Sequence, residues 1–290
     1  MGRLLGAFLR ELRDAARDLW RNRSFTAAAL LALVLGIGAC TAIFSVVDRI
    51  LFRSLPYRQA DRLVSVGMFA PILPQEFLLG YDYVDWRAAA TSPFESMGAM
   101  SSGLNDCDLN DARPVRVHCG RIDADLLRTL GSGLAAGREF TRADERLNAP
   151  PIAIVSYSLW RSRLSGDPAV FGRTIPVDGK PISVVGVLPP DFELPTLERP
   201  DILFPQTLDD PEQQARRRAI PLYAVGRLKP GIRQSQAAAA LRPLLDHAMQ
   251  AVPANFRKDV TLRIRSVRDR QIQDAKLTSW VLLAGCSQSS

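Results

Sequence analysis

Residues Ser24–Val47 run SFTAAALLALVLGIGACTAIFSVV, 24 residues without a charged side chain. At about 1.5 Å rise per residue this gives roughly 36 Å of helix, enough to cross a hydrocarbon core of about 30 Å with some tilt. A helix buried in a protein core is shorter and usually keeps a polar edge, so the stretch predicts a membrane-spanning helix. It does not read as a cleaved leader, because 23 residues precede it and Ile43, Phe44, Val46 and Val47 continue past any small-residue cut near Ala39. Ile37-Gly38-Ala39-Cys40 matches a lipoprotein box, yet TAIFSVV follows where a lipoprotein has a polar tether. The segment is read as an anchor, with lipidation at Cys40 as the alternative.

Around this anchor the pattern is consistent. Over residues 1–23, Leu4, Leu5, Phe8, Leu9, Leu12, Leu19 and Trp20 recur at helical spacing beside Arg3, Arg10, Arg13, Arg17 and Arg21. An apolar stripe flanked by arginines suits a helix lying in the headgroup layer; a short solvated helix packed on protein is the other reading. Within the span, Ala28, Ala32, Gly36 and Cys40 repeat every four residues, a small-residue row that lets a second helix approach closely. Five arginines before the span (10, 13, 17, 21, 23) against four after it (49, 53, 58, 62) lean towards a cytoplasmic N-terminus.

Composition removes several function classes. The net charge is +7, but only four of the 37 basic residues are lysines and no compact basic stripe occurs, so nucleic acid is not an expected partner. His118 and His247 are the only histidines, and Cys40, Cys107, Cys119 and Cys286 form no CxxC pair; neither a metal site nor a cofactor is expected. There is no GxSxG, HExxH, Walker loop or GxGxxG, so no catalytic residues are assigned and the chain is read as non-enzymatic. Asp82/Asp85 and Asp106/Asp108/Asp111 read as solvated faces rather than carboxylate pairs, and Arg216–Arg218 as a solvated run.

Residues 48–276 contain no further apolar run of spanning length and read as α+β. Alternation predicts strands at Arg62–Met68, Pro114–Cys119 and Asp259–Val267, and apolar runs predict strands at Ile152–Val155 and Pro221–Leu228. Thr174–Val177 and Pro181–Val187, joined by Asp178-Gly179, predict a hairpin with a primed turn. Helices are expected at Tyr81–Ala90, Asp123–Leu130 behind an aspartate cap, Ser158–Leu164, and Ser235–Met249 with Pro243 as a kink. Phe94–Leu109 reads either way, and the prolines between Pro189 and Pro205 predict an extended path. Cys107 and Cys119 flank a turn candidate at Asn110–Pro114; in an oxidising compartment they could form a cross-strand disulfide, provided the register puts both on one face.

Gly36–Leu63 (GIGACTAIFSVVDRILFRSLPYRQADRL), Gly137–Thr141 (GREFT), Ile152–Pro195 and Gly226–Leu241 (GRLKPGIRQSQAAAAL) together resemble MacB-like/FtsX-type ABC transporter permeases, most of all the duplicated orphan permease branch known from Acidobacteria. Cys40, Ser54 and Pro243 depart from that pattern. The resemblance implies one transmembrane helix followed by a two-lobed MacB-like periplasmic core domain over 48–276. A split α/β lobe (about 61–130 plus 215–270) would hold an inserted β-rich lobe (about 131–212). It further implies location in the cell inner membrane, pairing as a homodimer or permease pair, and a separate cytoplasmic ABC ATPase that drives an exoplasmic domain acting on cargo or partners. Leu277–Ser290, 14 uncharged residues of about 21 Å as helix, reads as the start of a second membrane helix in a truncated permease. The alternatives are a membrane-anchored periplasmic binding or interaction module that functions as it stands, and an anchored hydrolase.

Overall fold

The computed structural model describes residues 55–273 except 72–74, 90–91, 112, 209–220 and 251–253, together with scattered positions between 26 and 41. The chain divides into two compact units, Met1–Ser54 and Leu55–Ser290. In the first, every described position is helical, and Thr41 Oγ1 donates back to the Ile37 carbonyl at 2.7 Å. Leu30, Leu31, Leu33, Val34 and Ile37 are each between 56 and 65 % exposed. Among the described residues no helix is long and apolar enough to cross a membrane. The expected interfacial helix at 1–23, the Arg216–Arg218 run and the apolar end at Leu277–Ser290 lie outside the described residues.

The second unit carries twelve strands and six α-helical segments among its described residues. In order these are β1 (Leu63–Phe69), β2 (Leu78–Leu79), α1 (Gly80–Ala88), β3 (Phe94–Ser101), β4 (Asn105–Leu109), β5 (Val115–Ile122), α2 (Leu126–Leu130) and β6 (Ala136–Gly137). There follow β7 (Ile152–Val155), α3 (Tyr157–Arg163), β8 (Thr174–Val177), β9 (Lys180–Val187), β10 (Ile202–Pro205), β11 (Pro221–Leu228), α4 (Gln234–Gln250), α5 (Ala254–Arg257) and β12 (Thr261–Ser266). Residues 267–273 are also helical. The ambiguous Phe94–Leu109 segment resolves into two strands, β3 and β4. Pro243 lies inside α4, which continues to Gln250.

The strand order is β10-β7-β9-β8-β4-β5-β3-β11-β1-β12, and β10 pairs in parallel with β5 as well, so the six strands from β10 to β5 close on themselves. Their enclosed core holds Val117, Ala153, Val155, Ile175, Val184 and Ile202. The β4–β5 hairpin is part of this closed half, whereas the sequence reading placed it with residues 61–130. The difference arises because β5 touches β3 at a single register pair, Met100 with Ile122, but β10 along four. In the β8–β9 hairpin Asp178 and Gly179 have φ of 50° and 73°, as a primed turn requires, and Ile175 faces Ile182.

Beyond the closed half, β3, β11, β1 and β12 form an antiparallel run with a distinct core on each face, while the two-residue strands β2 and β6 pair with β11 and β9. Val64, Val66, Met68, Tyr83, Trp86, Leu222, Ala237 and Leu241 pack with α1 and α4 on one face. Leu63, Leu126, Leu130, Leu194, Tyr223 and Val267 occupy the other. There α2 lies hard against β3: a Cβ at Gly98 would sit 2.4 Å from the Leu126 Cα, so only glycine admits the helix at this depth. Asp123 does not cap α2. Its carboxylate accepts from the Ala99 N–H at 3.0 Å, and the residue at the helix start, Asp125, makes no side-chain capping bond.

Candidate functional site

The first and last described strands of the second unit, β1 and β12, run side by side. β1 and β12 pair from Val64↔Ser266 to Phe69↔Thr261. Alternation sends Val64 and Val66 into the apolar core beneath α4 and places Ser65 opposite Arg265 on the other face. Phe77 exchanges backbone hydrogen bonds with Met68 at 2.7 and 2.9 Å, which carries Glu76 over Ser65. Glu76 is 1 % exposed and receives two arginines. Arg265 Nε donates to Glu76 Oε1 at 2.9 Å, and its Nη2 forms a close ion pair with Oε2 at 2.6 Å. Arg270 Nη1 lies 3.1 Å from Oε1, donates to the Glu76 carbonyl at 2.8 Å, and its guanidinium stacks on Tyr223 at 3.7 Å. Ser65 Oγ completes the cluster by donating to Glu76. Burial raises the Glu76 carboxyl, but the hydrogen bond from Arg265, the charge of Arg270 and the Ser65 hydroxyl outweigh it and leave the group below its ordinary value.

From this cluster both chain segments reach one proline-rich loop. Tyr57, ahead of β1, donates its hydroxyl to the Glu193 carbonyl at 2.8 Å; Gln271, after β12, donates Nε2 to the Pro195 carbonyl at 2.9 Å. Tyr57, Phe192, Leu194 and Val267 share one core. The loop is braced internally by Arg199 Nη2 on Glu193 at 2.7 Å and by Leu194 N–H on the Glu198 carbonyl at 2.9 Å. It joins β9 to β10, two strands of the closed half. Tyr57 and Gln271 thus tie both segments to the closed half.

A second buried polar cluster lies beneath α1. Asp123 Oδ2 accepts from Tyr83 Oη and, at 3.1 Å, from Arg87 Nη1. Arg87 also meets Glu145 at 3.4 Å, and Glu145 Oε1 accepts the Ala124 N–H at 2.8 Å. Asp125 is bound by Arg128 at 2.6 Å and by Arg142. Burial pushes the Asp123 carboxyl up to about 7; the Tyr83 and Ala99 hydrogen bonds and the Arg87 charge pull down, while Glu145 pushes further up.

The residues singled out from sequence fall elsewhere. Ala28, Ala32 and Cys40 lie outside the described residues; Gly36 is helical, and among the described residues no heavy atom beyond its own helix backbone and chain neighbours lies within 4 Å of where its Cβ would be. The structure joins Cys107 to Cys119 as a disulfide with Cα atoms 6.0 Å apart. Cys107 pairs with Val117 and Cys119 with Asn105, so the two are diagonal neighbours on one face. His118 Nδ1 faces Asp106 at 3.2 Å, both well exposed. Among the described residues no three His, Cys, Asp or Glu side chains are grouped to hold a metal. A groove of about 560 Å³ between α4 and β12 has Arg242 as its one charged lining residue and holds no acid–base pair. Glu76, Arg265 and Arg270 escaped sequence reasoning; the signal was there in β12, where Arg263 and Arg265 alternate with Leu262 and Ile264.

The sequence profile described as the MacB-like periplasmic core domain matches residues 26–244. The pyoverdine export ATP-binding/permease protein PvdT of Pseudomonas aeruginosa is 26 % identical over 206 residues, covering 63 % of this chain and 28 % of that protein. The chain thus spans little more than a quarter of the length of this relative. The periplasmic region of MacB from Actinobacillus actinomycetemcomitans superposes with a TM-score of 0.51 at 12 % identity, over 79 % of this chain and 98 % of that one. The extracellular domain of the ABC-type transporter YknZ from Gram-positive bacteria gives 0.47 at 13 % identity, over 69 % and 99 %. The MacB superposition establishes the shared mixed α/β fold.

Proposed function

Because the chain belongs to the MacB-like periplasmic core domain family, we propose that it is a permease-type subunit of an ABC system. Residues 55–273 are its periplasmic domain, and Ser24–Val47 is the inner-membrane helix that tethers it. The single observation that carries this reading is the family match over residues 26–244. Helical backbone with outward Leu30, Leu31, Leu33, Val34 and Ile37 supports the membrane assignment, since lipid is the solvent such a surface suits. The N-terminus is cytoplasmic. Two copies pair in the membrane, with Ala28, Ala32, Gly36 and Cys40 as the packing row.

In this reading the subunit is not an enzyme, and ATP hydrolysis belongs to a separate cytoplasmic ATPase. Its movement reaches the periplasmic domain along the paired chain segments at β1 and β12, and the domain acts on exoplasmic cargo or partners by changing position. The Glu76 cluster and the loop held by Tyr57 and Gln271 are where such force would pass to the closed half. A reporter fused after Lys276 tests the topology. Alkaline phosphatase should be active there and a cytoplasmic fluorophore dark; the reverse pattern overturns the reading.

A further inference from the structure

β12 ends the strand order and, among the described residues, pairs only with β1. Which of its backbone groups stay free follows from the ladder. Met68 exchanges both backbone hydrogen bonds with Phe77, on the side away from β12, at 2.7 and 2.9 Å. In an antiparallel ladder the N–H and carbonyl of one residue point the same way, and successive residues alternate. At the Met68↔Leu262 and Val66↔Ile264 pairs, the N–H and carbonyl groups of Leu262 and Ile264 therefore point outward, away from β1. No strand among the described residues receives them. An edge of this kind is a template for a further strand.

The two faces beside this edge differ in chemistry. Leu262 and Ile264 turn towards the core under α4 yet stay half-buried. On that face the groove of about 560 Å³ opens between strand and helix, lined by Ala238, Ala239, Leu245, Val260 and Leu262, with Arg242 its charged member. On the opposite face the Arg263 guanidinium lies 3.5 Å over the Phe69 ring. Neither Arg242 nor Arg263 is in an ion pair among the described residues, whereas Arg265, next along that face, is taken by Glu76. Residues added opposite Leu262 and Ile264 would send their side chains to the groove, and the residue between them would send its own to Arg263. We propose that the β12 edge and the α4 groove dock an extended segment of a partner protein in which apolar residues alternate with acidic ones. Backbone bonds to Leu262 and Ile264 hold the segment, the groove takes its apolar side chains, and Arg263 takes the acid between them. Charge argues against a second copy as the occupant: it would lay its own Arg263 and Arg265 along the same face, arginine against arginine. The proposal gives a chemical class to the partner in the reading above and rests on that reading only for the compartment. The binding assay reads the surface and the fused reporter reads the compartment, so the two can fail separately.

Fluorescence anisotropy of the full chain in a neutral detergent tests the surface, with a labelled peptide of about eight residues that alternates valine and glutamate. It should bind saturably, and a peptide of the same composition with its valines and glutamates in separate blocks should not. N-methylation of one alternate set of amides, the valines' or the glutamates', should abolish binding while the other set is tolerated, because only one set faces the edge. Arg263→Glu should weaken the valine–glutamate peptide roughly tenfold and bind a valine–lysine peptide better than wild type does, a reversal that loss of folding cannot produce. Ala239→Trp, which fills the groove from the exposed side of α4, should weaken both peptides. Equal binding of the alternating and block peptides, tolerance of both methylated sets, or an unchanged affinity in Arg263→Glu overturns the proposal. So does a chain that ignores the alternating peptide but loses mass by light scattering on Arg263→Glu, since its edge then pairs with a second copy.

Discussion

Glu76 and Asp123 are both fully buried carboxylic acids in one compact unit, yet their surroundings drive them in opposite directions. Glu76 sits between two arginines and receives a hydroxyl, and its carboxyl is held below the ordinary value despite burial. Asp123 shares its one close arginine, Arg87, with Glu145, and burial wins, lifting it to about 7. Their pairing differs: two arginines and a hydroxyl face Glu76 and outweigh its burial, whereas the one arginine on Asp123, shared with Glu145, does not outweigh the burial of that carboxyl. The charged cluster joins the first and last described strands of the sheet, β1 and β12, whereas the proton-favouring one fastens α1 and the 141–145 turn to the sheet.

Removing the charge at Glu76 is the most damaging way to break this contrast. Glu76→Gln leaves Arg265 and Arg270, the latter 4 % exposed, facing each other without a carboxylate. Breaking a buried pair from one side typically costs about 3–5 kcal/mol, so the full chain in detergent should lose that much in urea titrations read by near-ultraviolet circular dichroism. The control is Glu95→Gln at the exposed partner of Arg62, which should cost at most about 1 kcal/mol. Equal losses for the two would mean that burial does not decide their worth.

The two acids also predict opposite limbs of a pH–stability curve. Asp123 is raised in the folded chain, so between its unfolded value near 3.9 and about 7 the folded state binds the extra proton. Stability therefore falls as pH rises through that window, by up to about 1.4 kcal/mol per pH unit. Glu76 is lowered, so its contribution is present above its unfolded value near 4.3 and is lost as pH falls through the folded one. Melting temperatures from pH 3 to 8 should peak on the acid side of neutral. Asp123→Asn should flatten the alkaline limb and Glu76→Gln the acid limb; an alkaline limb that survives Asp123→Asn assigns it to another group.

Local structure was largely legible in the sequence, and long-range charge pairing was not. Ile152–Val155, Thr174–Val177 and Pro221–Leu228 fold over the residues their hydrophobic pattern marks, because strand burial is a local periodicity. Phe94–Leu109 was ambiguous because Gly98 and Gly103 dilute the pattern, and glycine is needed at 98 only because α2 crosses there. Asp123 reads as a helix cap by position; its carboxylate is taken instead by Ala99 and Tyr83, 24 and 40 residues away. Glu76 pairs with residues 189 and 194 positions later, a distance at which no spacing rule applies. Val267 continues the alternation of β12 and so reads as the end of that strand, but it opens the helix at 267–273.

The closed half uses neither kind of buried acid; its core carries the Cys107–Cys119 link instead. Cross-linking residues 12 positions apart is worth at most roughly 3 kcal/mol in a chain-entropy account. Since β4 and β5 are already paired by backbone bonds, reduction should cost about 1–2 kcal/mol and loosen the hairpin rather than the Glu76 junction. Thiol counting on protein purified from the periplasmic side under non-reducing denaturation should find neither residue free. Two free thiols at these positions would remove the covalent link, and a reduced chain with unchanged hydrogen exchange in β4–β5 would remove its mechanical role.

The smallest effect is expected from Tyr83→Phe, and it probes why Asp123 holds a proton. The Tyr83 hydroxyl contacts both Asp123 Oδ2 and the Met97 carbonyl, the latter at 3.1 Å, but it has one proton to give. When Asp123 is ionised, that proton goes to the carboxylate and Met97 loses its donor. When Asp123 is protonated, its own O–H donates to the tyrosine oxygen and the tyrosine donates onward to Met97, so every group is satisfied. Deleting the hydroxyl removes a hydrogen bond that favours the charged form, which raises Asp123 further, and leaves the Met97 carbonyl unpaired. The loss should be about 1 kcal/mol at pH 5. The carboxyl-carbon chemical shift of Asp123, followed by pH titration, should show its midpoint above the wild-type value of about 7. A midpoint that moves down would mean that the tyrosine stabilises the proton rather than the charge, and that the Ala99 N–H and Arg87 keep the carboxylate within reach of ionisation.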